Sequence, residues 1–262
     1  MDREDYINKM NNVISDRSKF KKMSSSEDIF KVNLNMEDKI NYQLRKLKAN
    51  SSITDNEYNH MYVSGSSPPI LYGLPKIHKE GIPVRPILAA YKAPSYKLAT
   101  FLIGFLQYFT SNQYTLKNSY EFKEIITNSN FPPNVTLASF DITSLYTNVP
   151  IDETIDIAVS KVYDNDNQIR NISRSTFRKL LQLCISDNHF IFDKEHYSQF
   201  EGFAMESPLP APMANIFLCH HEEQWIQDCP IDFKPLLYRR YVDDTFLDFR
   251  HLEQVDTFFS ST

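Results

Sequence analysis

Two adjacent aspartates interrupt an aromatic and apolar run in the stretch Arg239-Arg240-Tyr241-Val242-Asp243-Asp244-Thr245-Phe246-Leu247. Strand-forming residues on both sides predict a β-hairpin with the two acids at or near its tip. Neighbouring negative charges repel, and a divalent cation can supply the counter-charge that each of them lacks. A polar turn that contains two aspartates and binds no metal is the alternative, because short acidic motifs are common.

Composition predicts an ordinary globular chain with an uneven distribution of charge. The 262 residues are 42% hydrophobic and 23% charged, which suits one large domain or two small ones. The net charge is -5, but residues 66–126 carry +4 and residues 127–262 carry -10. A basic middle and an acidic second half favour a phosphate-binding surface facing a metal-binding one, and solvated charged faces are the alternative.

The cysteines and the N-terminus argue against several classes of protein. Cys184, Cys219 and Cys229 are odd in number and widely spaced, which is typical of a reducing compartment and predicts no disulfide framework. The charged start, Met1 to Asp5, has no apolar run behind it and predicts no signal peptide. The apolar run from Leu98 to Phe109 is too short to span a bilayer, so we expect no membrane partner.

Apolar periodicity elsewhere predicts a mixture of helices and hairpins. Helical spacing occurs within residues 1–60, 94–109 and 174–187, and again from about residue 211 to residue 225. Asp55 is the expected cap of a short helix in the first of these segments. A hairpin is expected around a turn at Asp193-Lys194, followed by a loop from Gln199 to Leu209 that leads into the last helix.

A second predicted hairpin carries basic residues. Apolar segments from Leu71 to Ile87 alternate with Lys76, Lys79 and Arg85, and Gly81 marks the turn. Basic side chains held on strands form a rigid site for phosphate oxygens, and arginine is the better bidentate donor. An ordinary hairpin with exposed lysines is the alternative.

The third carboxylate is Asp141, at the C-terminal end of the β-branched and apolar run from Val135 to Phe140. This run predicts a buried strand, and catalytic residues often emerge at such strand ends, although a helix cap or turn is the alternative. If this strand lies beside the Asp243-Asp244 hairpin, three carboxylates meet and suit a pair of Mg²⁺ ions. The order of basic hairpin, Asp strand, loop-helix and Asp-Asp hairpin is that of a palm-type polymerase with its fingers.

The chain resembles the reverse transcriptase domain of Penelope-like retroelements over nearly its whole length. The residues that carry the resemblance are Leu71-Tyr72-Gly73-Leu74-Pro75-Lys76-Ile77-His78-Lys79, Val84-Arg85-Pro86-Ile87, Ser139-Phe140-Asp141-Ile142-Thr143-Ser144-Leu145-Tyr146-Thr147-Asn148-Val149-Pro150, Gln199, Gly202-Phe203-Ala204-Met205, Ser207-Pro208-Leu209, Ala214-Asn215 and Arg240-Tyr241-Val242-Asp243-Asp244-Thr245. The resemblance implies an α+β palm-and-fingers polymerase with an antiparallel palm sheet backed by helices. Residues 1–66 would form a helical N-terminal extension of the fingers, and residues 67–262 the fingers and an incomplete palm.

The implied activity is that of an RNA-directed DNA polymerase, a nucleotidyltransferase of a retrotransposon. Asp141, Asp243 and Asp244, with the backbone carbonyl of Ile142, match the ligands of two Mg²⁺ ions, which Mn²⁺ can replace. The implied partners are an RNA template, a DNA primer and deoxynucleoside triphosphates, and the implied compartment is intracellular, the nucleus for a working element. The oligomeric state stays open.

The resemblance also assigns the residues that bind substrates. Lys76 and Arg85 match the residues that hold the triphosphate of the incoming nucleotide, and Tyr146 matches the aromatic residue that crowds a ribose 2′-hydroxyl. Gln199 would lie at the nascent base pair. Template and primer contacts are implied for two loop residues and one hairpin residue, namely Gly202, Ser207 and Tyr241.

Two departures from the family pattern favour an alternative. Glu206 stands where the family has glycine, and a carboxylate near a template backbone repels phosphate. The sequence ends at Thr262, before the expected thumb and GIY-YIG endonuclease. The alternative is therefore a decayed, non-catalytic reverse transcriptase remnant that acts at most as a nucleic-acid-binding module.

Overall fold

A computed structural model describes residues 1–24, 28–164, 169–185, 188–203 and 207–261 of the chain. The helices are α1 (Arg3–Ile14), α2 (Ile29–Ala49), α3 (Asp55–Met61), α4 (Tyr96–Leu106), α5 (Ser119–Asn128), α6 (Leu145–Asn148), α7 (Ile151–Tyr163), α8 (Arg174–Ile185), α9 (Pro210–Asp228) and α10 (Glu253–Ser261), and Gln107–Phe109 forms a short 3₁₀ helix. The strands are β1 (Phe20–Lys22), β2 (Ile70–Pro75), β3 (Val84–Ala89), β4 (Thr136–Asp141), β5 (Asn188–Phe192), β6 (Glu195–Gln199), β7 (Leu237–Tyr241) and β8 (Asp244–Phe249). The expected α+β class is confirmed.

The chain divides into two compact units. The first unit consists of residues 1–107 and 146–213, and the second of residues 108–145 and 214–262. Residues 1–66 lie in the same unit as residues 67–107, and the predicted division into an N-terminal extension and a fingers-palm region stays a prediction. Among the helices that the structure describes, none combines the length and the apolar character that a membrane span requires.

The first unit is built on a five-stranded sheet in the order β1-β6-β5-β2-β3. Neighbouring strands are antiparallel except β2 and β5, which run parallel. Helix α1 packs closely on β2, since the Tyr6 hydroxyl accepts a hydrogen bond from the Gly73 amide at 2.7 Å. A Cβ atom at Gly73 would lie 2.5 Å from Met10 Sδ, so the absence of a side chain allows this close approach.

The second unit is built on an antiparallel three-stranded sheet in the order β4-β8-β7. Leu247 and Phe249 of β8 pack against Ile226 of α9 and Phe258 of α10, and all four side chains are buried. Both helices therefore cover the sheet face to which these alternate β8 side chains point. Asp141 of β4 and Asp244 of β8 lie on the opposite face of the sheet.

Two sequence-based expectations about the strands are wrong. Strand β4 is not buried, because its residues alternate between half-buried and exposed positions, and Leu137 is 60% exposed. Only one face of β4 packs on the core, and successive side chains of a strand point to opposite faces, so every second residue of the apolar run faces solvent. Lys76 and Lys79 follow the end of β2 rather than lying on it, and of the three basic residues only Arg85 is on a strand.

Local predictions elsewhere have mixed outcomes. The hairpin β5–β6 turns at Asp193 and Lys194, as expected, and both residues have positive φ. The cap of α3 is Thr54 rather than Asp55, because Thr54 and Glu57 form a reciprocal capping box. Strand β1 was not expected; it pairs with β6, and its Phe20–Gln199 pair joins residues 179 positions apart in the chain.

A buried carboxylate on β8 lacks hydrogen-bond partners. Asp248 is fully buried, and in the described part of the chain neither of its side-chain oxygens accepts a hydrogen bond. It lies opposite Leu137 on β4 and Leu237 on β7. Burial raises the pKa of Asp248 because it disfavours the charged form.

Replacement of Asp248 by Asn is therefore expected to stabilise the fold at neutral pH by about 1 to 2 kcal/mol. Since the pKa of Asp248 is higher in the folded chain, the charged form weakens folding as pH rises, and the penalty disappears below the ordinary pKa of 3.8. Urea unfolding of both proteins at pH 7 and pH 3 measures this. An equal difference in stability at the two pH values would contradict an electrostatic origin.

Candidate active site on the three-stranded sheet

The Asp-Asp hairpin forms as the sequence predicts. Strands β7 and β8 pair up to Tyr241 and Asp244, so that Val242 and Asp243 are the two central residues of the turn. Val242 has a φ of 57°, a left-handed conformation that a β-branched residue rarely adopts. Positive φ at the first central residue is a feature of the two-residue turns that suit the twist of a hairpin.

The backbone brings the third aspartate to the same place. Asp141 lies directly opposite Asp244 on the neighbouring strand, and opposite residues of an antiparallel pair point to the same face. The amide of Ile142 donates a hydrogen bond to the carbonyl oxygen of Asp243 at 3.0 Å. Asp141 and Asp244 are exposed and Asp243 is half-buried, so all three remain accessible from solvent.

The donor chemistry of these residues suits a magnesium ion, which prefers carboxylate oxygens and retains several waters. Although the backbones are paired, the three carboxylate groups do not form a cluster. Among the described residues, no three His, Cys, Asp or Glu side chains are grouped tightly enough to hold a metal ion. Joint ligation by Asp141, Asp243 and Asp244 would therefore need rotation of side chains on this backbone, and the predicted ligand set stays a prediction.

An open groove of about 500 Å³ lies beside Asp244. Its walls include Phe122 of α5 and Phe246 of β8, whose rings meet edge to face with centroids 5.0 Å apart. Arg239, Tyr241 and Asp244 complete the side formed by the hairpin. The groove thus combines aromatic surface with one basic and one acidic group, which suits a ligand that has both flat rings and charge.

On the core side, the hairpin is attached to α9 through a buried ion pair. Arg240 has no exposed surface, and its guanidinium binds the carboxylate of Glu222 through Nε and through Nη2, the latter at 3.3 Å. Its Nη1 donates to Asn215 Oδ1 at 3.1 Å and to the carbonyl oxygen of Val242 at 2.9 Å. Nη2 also contacts Cys219 Sγ at 3.5 Å, so all five N–H donors have a partner.

The same carboxylate accepts further hydrogen bonds. The Tyr238 hydroxyl donates to Glu222 Oε1 at 2.8 Å, and Asn112 Nδ2 approaches Oε2 at 3.4 Å. Burial raises the pKa of Tyr238, and the charge of Glu222 raises it further, so the hydroxyl remains a donor. Burial, the largest single influence, lowers the pKa of Arg240, but the hydrogen bond with Glu222 and the charges of Glu222 and its neighbours together outweigh it, and the net shift of the pKa is upward.

The predicted phosphate-binding residues lie in the first unit. Arg85 on β3 is exposed and lies opposite Leu74 of β2. Lys76 follows β2, where its amide donates to the Pro83 carbonyl oxygen at 2.8 Å. In the described ranges neither side chain forms an ion pair, which leaves both cations available to an anionic ligand.

The structure also brings together two predicted residues of the segment before α9, Gln199 and Gly202, and places the backbone of Tyr146 of α6 beside them. Gln199 is buried, and its Nε2 donates to the carbonyl oxygens of Glu201 at 3.0 Å and Gly202 at 3.2 Å. The Phe203 amide donates to the carbonyl oxygen of Tyr146 at 2.7 Å. The Gln199 amide therefore holds the loop in shape, and its predicted contact with a base pair stays a prediction.

Other residues of this loop are less informative. Ser207 is half-buried just before α9, and its predicted role at the template stays a prediction. Met205 and Glu206 lie outside the described residues, so the effect expected of Glu206 stays a prediction too.

Sequence reasoning missed the Arg240–Glu222 pair. The signal that could have found Arg240 is its place in β7: alternate residues of the strand share a face, so Arg240 shares the apolar face with Tyr238. Nothing in the sequence identifies Glu222, 18 residues earlier on a helix, as its partner.

Comparison with known proteins gives a fold but no family. No protein-family model matches the chain, and no curated protein matches it. A telomerase from Candida albicans, solved with the TWJ fragment of telomeric RNA, covers 98% of this chain at 11% identity, with a TM-score of 0.62. Apo telomerase from Candida tropicalis covers 98% at 9% identity, with a TM-score of 0.63.

These likenesses show that the chain has a reverse-transcriptase-like polymerase fold. At such low identity they show the fold alone, and the details of a palm and the relation to Penelope-like elements stay predictions. The chain spans 44% and 46% of the length of the two telomerase chains, less than half in each case.

The strained turn gives a prediction about stability. Replacement of Val242 by Asn should stabilise the chain by about 0.5 to 1 kcal/mol, because asparagine adopts a positive φ more readily than a β-branched residue. Denaturant unfolding measures the change. Val242→Ala, which loses the branch but keeps a Cβ atom, should gain less, and a loss of stability in Val242→Asn would contradict the role of strain.

Gly202 gives a second prediction, because it has a φ of 71° and a Cβ atom there would lie 2.6 Å from the carbonyl oxygen of Thr147. Gly202→Ala should cost about 2 to 3 kcal/mol, from backbone strain and steric overlap together. Gly81 has the same φ with nothing within 4 Å of a Cβ position, so Gly81→Ala is the matched control and should cost about 1 kcal/mol. Equal losses in thermal or urea unfolding would show that the contact with Thr147 does not matter.

Proposed function

We propose that the chain is the RNA-directed DNA polymerase domain of a retroelement, which joins deoxynucleotides to a primer 3′-hydroxyl on an RNA template. The observation that carries this proposal is the registered pair of Asp141 and Asp244, with Asp243 in the adjoining turn, on the sheet of a reverse-transcriptase-like fold. A fold of this class hosts other chemistry, so the acids rather than the fold carry the proposal.

In the proposed reaction, Asp141, Asp243 and Asp244, with the carbonyl of Ile142, hold two Mg²⁺ ions. When bound, the ions lower the pKa of the attacking hydroxyl and offset charge on the leaving pyrophosphate. The exposed positions of Asp141 and Asp244 leave room for substrate oxygens beside them. The aromatic groove next to Asp244 offers a surface on which a base or sugar of the primer end can lie.

The roles of the remaining residues come from the family resemblance. Lys76 and Arg85 neutralise the triphosphate, and the absence of ion-pair partners in the described ranges supports this. Tyr146 discriminates against ribonucleotides, while Gln199 lies at the nascent pair. Template and primer contacts fall to residues of the loop and the hairpin, namely Gly202, Ser207 and Tyr241.

An RNA partner has independent support. The Candida albicans telomerase that shares this fold was solved with a fragment of telomeric RNA. The net charge of this chain is -5, so binding of a hybrid duplex would depend on local basic residues rather than on overall charge.

The test is primer extension on an RNA template with Mg²⁺ and deoxynucleotides. Asp243→Asn should lower the rate at least about 10²-fold, because one metal ligand loses its charge. Asp228→Asn makes the same chemical change at an exposed position of α9 and should leave the rate unchanged. A rate that Asp243→Asn does not alter would contradict the assigned site.

The alternative, a remnant that binds nucleic acid without polymerising, predicts a different result. Neither the chain nor its Glu206→Gly variant with a grafted thumb would then extend a primer, while an RNA–DNA hybrid would still bind with an affinity that falls steeply with salt. That result would overturn the polymerase proposal and leave the binding module.

A further inference from the structure

The guanidinium of Arg240 reaches the turn of the Asp-Asp hairpin from the core side. Its Nη1 donates to the carbonyl oxygen of Val242, which belongs to the peptide that joins Val242 to Asp243. A hydrogen bond from a charged donor is stronger than one between neutral groups. This contact therefore acts on the orientation of a peptide plane that directly precedes a predicted metal ligand.

That peptide plane needs such support. Val242 has a φ of 57°, and a branched residue in this region is strained by roughly 1 to 3 kcal/mol. A strained conformation persists only where its surroundings determine it. The turn is otherwise exposed, since Val242 is 41% and Tyr241 49% accessible to solvent. The hydrogen bond from the Ile142 amide reaches the Asp243 carbonyl oxygen, which belongs to the next peptide, whereas the Arg240 contact acts on the Val242–Asp243 peptide itself.

The guanidinium is itself fixed. Glu222 binds it through two nitrogens, and Asn215 accepts from the same Nη1 that reaches the turn. With all five donors engaged and no exposed surface, Arg240 has a single orientation, and it transmits the position of α9 to the hairpin tip.

We propose that Arg240, held by Glu222 and Asn215, is a positioning residue that sets the Val242–Asp243 peptide and thereby places the Asp243 and Asp244 carboxylates for metal binding. The metal-binding part of this inference rests on the proposed polymerase function. The effect on the turn does not, because it depends only on the hydrogen bonds described above.

The network supplies its own control. Tyr238 donates to Glu222 but does not touch the turn, whereas Arg240 touches both. Tyr238→Phe therefore weakens the buried network without removing the bond to Val242. If Arg240 mattered only for stability, Tyr238→Phe and the Arg240 variants would lower stability by different amounts, and none of them would change the conformation of the turn.

The experiment compares Arg240→Lys, Glu222→Gln and Tyr238→Phe at a temperature at which each is folded. NMR shifts of the Val242 and Asp243 backbone report the conformation of the turn, and calorimetric titration with Mn²⁺ reports binding by the carboxylates. Asn215→Ala is the milder variant for the case that Arg240→Lys and Glu222→Gln fail to fold, because it removes an acceptor of Nη1 and uncovers no charge.

We expect Arg240→Lys and Glu222→Gln to shift the two turn residues away from their wild-type positions and to weaken Mn²⁺ binding at least tenfold, as loss of an outer-shell partner does at metal sites. Asn215→Ala should weaken Mn²⁺ binding by a smaller factor, and Tyr238→Phe should leave both the turn and the affinity within twofold of wild type.

The outcomes separate this inference from the proposed function. Unchanged turn shifts in the folded Arg240, Glu222 or Asn215 variants would overturn the inference whatever the metal does. Equal Mn²⁺ affinity in wild type and those variants would overturn its metal-binding part. A wild-type chain that binds no Mn²⁺ would contradict the polymerase proposal, while the turn shifts would still decide the role of Arg240.

Discussion

The ion pair between Arg240 and Glu222 is the interaction on which the second unit depends most. Two charges removed from water lose several kcal/mol of hydration each, and their mutual attraction offsets this only when every remaining donor and acceptor is satisfied. Here all five donors of Arg240 are engaged, and both oxygens of Glu222 accept. The backbone of Arg240 is also hydrogen-bonded to the preceding segment: its amide donates to the Tyr114 carbonyl oxygen at 2.9 Å, and its carbonyl oxygen accepts from the Leu116 amide at 2.7 Å.

The strain at Val242 is linked to the hydrogen bonding of Arg240. A branched residue at positive φ is unfavourable by itself, and the guanidinium compensates by binding the carbonyl oxygen of that residue. Strain kept at the hairpin tip and supported from the core is typical of sites where side chains must be aimed rather than left to relax. Asp248, further along β8, is a different case, because no group in the described chain compensates its burial.

Sequence reasoning succeeded where structure is local. The turn at Asp193-Lys194 and the hairpin with Asp243 and Asp244 at or near its tip follow from strand formers on either side of polar residues, and α8 follows from its apolar stripe. It failed where the decisive contact is distant. The pairing of β1 with β6, and the choice of Glu222 as partner for Arg240, depend on tertiary packing that no window of sequence contains. The prediction that β4 is buried was wrong because an apolar run does not show whether one or both faces of the strand are covered.

The ion pair also explains the register of the Asp-Asp hairpin. Side chains alternate along a strand, so a slip of β7 by one residue against β8 would turn Arg240 to the open face and Arg239 towards the core. Such a slip would leave Glu222 buried without its partner, which costs about 3 to 5 kcal/mol. The same slip would remove Asp244 from its place opposite Tyr241, and the turn from its two-residue length. A buried cation one residue before Tyr241 therefore fixes the register of the hairpin, so that Val242 and Asp243 are the turn residues and Asp244 is the first residue of β8, where the separate pairing of β8 with β4 sets it opposite Asp141.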